Sequence, residues 1–270
     1  MPEVREPAVA GQFYPGRERE LRQQVQQFLA APAAASARAL GIIAPHAGYI
    51  YSGAVAGAVY SRIQIPARAI VLCPNHTGYG EPLSIMSEGS FRTPLGEIAI
   101  DHELAEKLKA GFPLLHEDET AQLREHAIEV QLPFLQSLRA DLRFVPITVG
   151  TGQFEALAAL GIVIAKVIAE LGEPVLIVAS SDMNHYESDE QTRIKDAMAI
   201  EQILTLQPKG LFQTVRSQNI SMCGVGPAVA MLTAALRLGA TKAELIKYAT
   251  SGEVSGDHDH VVGYAGVVVS

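Results

Sequence analysis

Three apolar runs in this chain lead within a few residues to a histidine: Ile42-Ile43-Ala44-Pro45-His46, Ile70-Val71-Leu72-Cys73-Pro74-Asn75-His76 and Leu176-Ile177-Val178-Ala179-Ser180-Ser181-Asp182-Met183-Asn184-His185. Imidazole titrates near neutrality and is the commonest metal ligand among side chains, so three in equivalent positions point to metal binding or proton transfer. Cys223, in Met222-Cys223-Gly224-Val225-Gly226-Pro227, stands just before a predicted helix whose positive end favours thiolate; it is placed either to ligate a metal or to attack a substrate. Asp182 precedes His185 by three residues and has three readings: orienting that imidazole, acid–base work, or capping the helix that follows. Glu125 and His126 form an adjacent ionisable pair, read either as part of a site or as a solvated helix start.

Other reactive types carry less. Cys73 lies inside an apolar run and is expected to be a small core side chain. The cluster Asp257-His258-Asp259-His260 is metal-like in composition, yet its Gly/Ser-rich surroundings predict a surface loop. His102 and His116 have no supporting context. The chain contains no P-loop, no G-x-G-x-x-G after a strand, no G-x-S-x-G and no H-E-x-x-H.

The elements that must bring these residues together follow from periodicity. Leu21, Val25, Phe28 and Leu29 predict a helix over 17–30, followed by an Ala-rich stretch at 30–39 expected to be a loop or a helix extension. Strands are predicted at 40–44, 68–73, 143–149, 174–179, 245–249 and 264–269, and helices at 52–63, 101–110, 124–138, 154–171, 188–206 and 226–238. Pro133 is a possible kink, and short strands at 83–87 and 97–100 about a turn at 92–96 are read as a hairpin insertion. Continuous apolar strands separated by helices argue for a mostly parallel sheet covered on both faces. In such a sheet the loops after the strands leave at the carboxyl edge, where ligands bind, so His46, His76 and His185 are expected to converge.

Composition narrows the class of function. The 270 residues are 48% hydrophobic and 19% charged, enough for a large core, and the length suits one α/β domain over 1–270. With 21 basic against 29 acidic residues the net charge is −8, which opposes a phosphate backbone and excludes nucleic acid as an expected partner. Two cysteines make no disulfide framework, the N-terminus has no apolar targeting core, and no apolar run nears the roughly 18 residues of a membrane span. A cytoplasmic protein is expected.

Taken in order, Ala44-Pro45-His46-Ala47-Gly48-Tyr49, Pro74-Asn75-His76, Arg92-Thr93-Pro94-Leu95, Glu125-His126-Ala127-Ile128-Glu129, Ser180-Ser181-Asp182 with His185, and Cys223-Gly224 resemble the Memo-like family, as does the early Ala10-Gly11-Gln12-Phe13-Tyr14-Pro15. The set spans almost the whole chain. That family is similar in fold to class III extradiol dioxygenases, non-haem iron enzymes, which implies a three-layer α/β/α sandwich around a mostly parallel or mixed sheet. The resemblance implies metal-binding positions at His46, His76 and Cys223, further site residues at Asp182 and His185, and a pair near the pocket at Glu125 and His126. The dioxygenases use two histidines and a carboxylate, whereas Cys223 would supply sulfur, a softer donor that shifts preference toward copper or zinc. Ring-opening activity therefore does not transfer by analogy.

The leading expectation is a metal-binding, oxidoreductase-like protein holding iron (Fe2+) or copper, with zinc as a further option. In it, Asp182 orients His185, which serves as acid, base or hydrogen-bond donor to a small-molecule ligand. A second is a non-catalytic module that binds a peptide or partner protein in the same cleft. Family association would add a radical-SAM protein as partner. A third is a metal-free hydrolase with Cys223 as nucleophile and His185 as base.

Overall fold

The computed structural model describes residues 4–30 and 37–270, so the predicted loop or helix extension at 30–39 falls mostly outside the described residues. The chain opens with the short strand β1 (Val4–Arg5) and the helix α1 (Glu18–Leu29), whose Leu21 and Val25 are buried. The strand β2 (Gly41–Ala44) leads through Pro45 and His46 into α2 (Tyr49–Tyr60), and β3 (Arg68–Pro74) follows. Next come the strands β4 (Leu83–Ile85), β5 (Ser90–Thr93) and β6 (Gly96–Ala99), then α3 (His102–Gly111) and β7 (His116–Glu117). Three short helices, α4 (Thr120–Leu123), α5 (His126–Glu129) and α6 (Leu132–Leu138), precede β8 (Arg143–Val149), α7 (Phe154–Leu171) and β9 (Val175–Ser180). The last part holds β10 (His185–Glu187), α8 (Asp189–Leu204), α9 (Pro208–Ser217), α10 (Val225–Arg237), β11 (Ala243–Thr250), α11 (Gly252–Ser255) and β12 (Val261–Val269).

Strands β2, β9, β3 and β8 lie side by side and parallel, as their uninterrupted apolar runs predicted. Antiparallel strands flank them: β12 beside β2, and β4 beside β8. The sheet is therefore mixed, running β10-β12-β2-β9-β3-β8-β4-β7 with β11 paired to β12. Successive side chains alternate between two cores, as the two-residue strand period requires. Ile43, Ile70, Leu72, Ile177 and Ala179 face the core built with α3, α7, α8, α9 and α10. Ile42, Ala44, Val71, Leu176 and Val178 face the other, built with α1, α2, α5 and α6. The result is the three-layer α/β/α architecture that the sequence suggested.

Several local expectations are corrected. The predicted hairpin partner at 83–87 belongs to the main sheet, where β4 pairs β8; the hairpin is β5 with β6, and it joins β1 in a separate three-stranded sheet. The helix predicted over 124–138 is two helices, with Pro133 at the start of α6, where its missing N–H costs nothing. The helix predicted over 52–63 begins three residues earlier, at Tyr49, and the Ser52 hydroxyl inside it donates to Ala47 O. Helix α9 went unpredicted, although Pro208 and the i, i+4 pair Leu211 and Val215 mark it. Among the described residues no helix is long and apolar enough to cross a membrane.

Candidate functional site

The three histidine-bearing loops leave from neighbouring parallel strands. His46 follows β2, His76 follows β3, and the segment bearing Asp182 and His185 follows β9, which lies between them. Shared strand direction puts all three at one edge, and α10 brings Cys223 to it from the front of its first turn. His46, His76 and Cys223 each offer a ligand atom within 4.8 Å of the others'. The His46 and His76 rings meet edge to face at 5.1 Å, and Cys223 Sγ lies 3.2 Å from His46 Nε2.

Neighbours decide which nitrogen each ring presents. Gln131 Nε2 lies 2.9 Å from Pro45 O and 3.3 Å from Ala44 O, so it is the amide nitrogen, and it also donates to Ser180 Oγ at 2.8 Å. Ser180 spends its one proton on Ala127 O at 2.7 Å. Its oxygen can then only accept from His46 Nδ1 at 2.9 Å, so that nitrogen carries the proton and Nε2 turns a lone pair toward the sulfur. Burial, followed by the fields of His76, His126 and His185, holds the His46 pKa well below the ordinary 6.5, so the ring is neutral.

His76 is held by a carboxylate. Glu125, almost fully enclosed, accepts the His76 backbone N–H at 2.7 Å on one oxygen. Its other oxygen accepts His76 Nδ1 at 2.9 Å and the Ala127 N–H at 3.0 Å. Burial raises the Glu125 pKa, but the hydrogen bond and charge of His76 outweigh it and leave the carboxyl below its ordinary value. A carboxylate on Nδ1 leaves Nε2 as the free donor, the arrangement that orients ligating histidines. Glu125 thus caps α5 and also reaches the site, so the solvated-helix-start reading is wrong for it. His126 stacks on His76 at 4.7 Å and packs against Phe13 at 4.8 Å, and burial lowers its pKa.

Asp182 does not cap the following helix; Ser188 does. One Asp182 oxygen instead accepts the backbone N–H groups of His46 at 2.8 Å and Ala47 at 3.3 Å, and the other lies 4.0 Å from His46 Nε2. Burial pushes its pKa up to about 7. Burial and the adjacent Asp182 also push the Cys223 thiol well above its ordinary value, contrary to the thiolate expected from the helix end. His185 is anchored from Nδ1 to Ser221 O at 3.0 Å and from its backbone N–H to Ser221 Oγ at 2.7 Å. At Gly224 an added Cβ would lie 2.3 Å from Ser181 Cβ and 2.5 Å from Ser180 O, so only glycine lets the cysteine loop come this close to β9.

Elsewhere the sequence reading is matched by position. Cys73 is a fully buried core side chain, and the 257–260 segment is exposed, with Asp257 Oδ1 accepting the Asp259 and His260 N–H groups. Ser180, Gln131, Ser221 and Phe13 also support the site. Ser180 and Phe13 lie within the motifs quoted above, though neither was given a role there, whereas Gln131 and Ser221 left no signal in the sequence.

A Memo-like protein family model matches residues 5–268. A MEMO1 family protein of Methanosarcina barkeri is 44% identical over 267 residues, covering 98% of this chain and 100% of the relative. One of Methanopyrus kandleri is 41% identical over 277 residues, covering 98% of each. The crystal structure of an uncharacterized protein from Escherichia coli K12 matches with a TM-score of 0.58 at 11% identity over 86% of this chain and 100% of the other, a likeness of fold alone. Matched from end to end by the family model and by relatives of this similarity, the chain belongs to the Memo-like family.

Proposed function

We propose that the protein is a metal-binding, oxidoreductase-like member of its family in which His46, His76 and Cys223 hold iron or copper. The observation that carries this reading is the approach of ligand atoms of two imidazoles and a sulfur to within 4.8 Å of one another, with His46 presenting a lone pair on Nε2 and His76 anchored through Nδ1. Two nitrogens and one sulfur fit a transition metal of intermediate or soft character, and Glu125 and Ser180 supply the outer hydrogen bonds that such histidines need. Iron or copper, when bound, supplies one-electron chemistry and positive charge to a substrate lying beside it.

The chain's own groups would handle protons and orientation. Asp182, with its pKa near 7 and its carboxyl 4.0 Å from His46 Nε2, can hold or release a proton at neutral pH. His185, neutral because burial lowers its pKa, offers Nε2 as a proton acceptor while Ser221 fixes its ring. The thiol held protonated by burial argues against the metal-free hydrolase, which needs an activated nucleophile.

Anaerobic loading with Fe(II) or Cu(I), then elemental analysis of the desalted protein, tests the reading. About one ion per chain is expected, and His46→Ala should lose it while keeping its circular dichroism. Folded wild-type protein that takes up neither metal would overturn the proposal.

A further inference from the structure

Two fully buried charges tie the first residues of the chain to the segment that carries Glu125. Arg5 is 1% exposed and Glu129 0%. The guanidinium spends its fork on three separate points of one short stretch. Nη1 pairs with the Glu129 carboxylate, Nε donates to Gln122 O at 3.2 Å, and Nη2 donates to Glu125 O at 2.6 Å. Glu129 in turn accepts the N–H groups of Ala8 at 2.7 Å and Val9 at 3.0 Å and the hydroxyl of Tyr14. One residue before Tyr14, Phe13 lies against the His126 ring.

Stability alone does not account for this arrangement, since a buried ion pair can often be replaced by apolar side chains at little or no cost. What an apolar pair could not reproduce is the grip on two carbonyls. Gln122 O and Glu125 O bracket the turn from which the Glu125 side chain departs, and a planar guanidinium fixes both at once, as a lysine could not. We infer that Arg5, locked by Glu129, is a positioning residue of the site: it sets the backbone at Glu125 so that the carboxylate holds His76 on Nδ1 and leaves Nε2 bare. The use of that bare nitrogen rests on the proposed function, whereas the positioning itself is a property of the metal-free chain.

The test reads the His76 tautomer from its ring 15N shifts in chelator-washed protein, with the signals assigned by loss in His76→Gln. Wild type should show a single Nδ1–H form. Arg5→Met/Glu129→Leu, which fills the volume without the charges, should show His76 divided between tautomers, and its affinity for Zn(II) or Cu(I) should fall about tenfold, the lower end of the effect of an outer hydrogen bond. Arg5→Lys keeps the charge but not the fork and should show the same division in smaller degree; it also carries the test if the double variant fails to fold. A folded variant with an unchanged His76 tautomer would overturn the inference. A fixed tautomer in a wild type that binds no metal would uphold the positioning and sink the metal reading instead.

Discussion

Changing Glu125 to Gln alters one atom and confronts the site with a donor it cannot satisfy. The carboxylate accepts three N–H groups, two on Oε1 and one on Oε2. An amide has a single acceptor oxygen, so in either orientation its NH2 meets an N–H. If the oxygen stays where Oε1 was, the NH2 faces the His76 backbone N–H, whose present bond is 2.7 Å; a buried donor left in that state costs about 1–3 kcal/mol of stability. If the amide flips, the NH2 faces His76 Nδ1, and the ring can satisfy it only by moving its proton to Nε2, which removes the lone pair from the metal side. In the first orientation the charge that strengthens His76 as a donor is lost, and in the second the donor itself. Loss of such an outer partner typically weakens a metal site 10–100-fold, which is about 1.4–2.7 kcal/mol. Competition against a chelator of known affinity, with Zn(II) or Cu(I) on wild type and variant, measures the change, and urea unfolding of the metal-free proteins measures the stability cost. If the variant binds either metal within twofold of wild type, Glu125 does not act through His76 and the reasoning fails.

Two further outcomes follow from buried acids. Asp196, fully enclosed and holding the Asn184 N–H and the Tyr248 hydroxyl, has its pKa raised by burial from 3.8 to about 6. The folded chain therefore keeps a proton that the unfolded chain sheds first, and stability on this account is full below about pH 4 and lost as pH rises through about 6. A displacement of that size is worth roughly 3 kcal/mol. Asp196→Asn should gain on wild type by that order between pH 4 and pH 7 in urea unfolding, and a pH-independent difference would contradict it. At Cys223, where the thiol is protonated at neutral pH, metal uptake must expel a proton, so affinity should rise about tenfold per pH unit. Cys223→Ser should bind more weakly, and calorimetry in buffers of different ionisation enthalpy should count one proton fewer at most for it; equal proton release from both would place the metal elsewhere.

The layers were legible because they depend on local pattern. Runs such as those at 41–44, 68–74 and 175–180 announce buried parallel strands, and the direction of parallel strands then sends His46, His76 and the Asp182–His185 segment to one edge without any knowledge of long-range contacts. What stayed hidden is what only long-range pairing decides. The run at 83–85 is as apolar as a hairpin strand should be, yet its partner is β8, chosen by the sheet and not by proximity in sequence. Gln131, which fixes the His46 tautomer through Ser180, lies 49 positions from that serine, and Arg5 lies 124 from Glu129. Each would pass for an ordinary surface polar residue until the fold encloses it.

Cys223 shows where a correct local rule yields to its surroundings. A helix end favours an adjacent anion by about 0.3–1 kcal/mol, whereas enclosing a charge costs several. Here the sulfur lies beside Asp182, and its desolvation outweighs the opposing contacts with the N–H groups of Asp182, at 3.3 Å, and Gly224 and with Ser181. The same balance holds for His46, whose buried ring is also kept neutral, so the sulfur and the His46 lone pair stand 3.2 Å apart as two uncharged groups that a cation would draw on together.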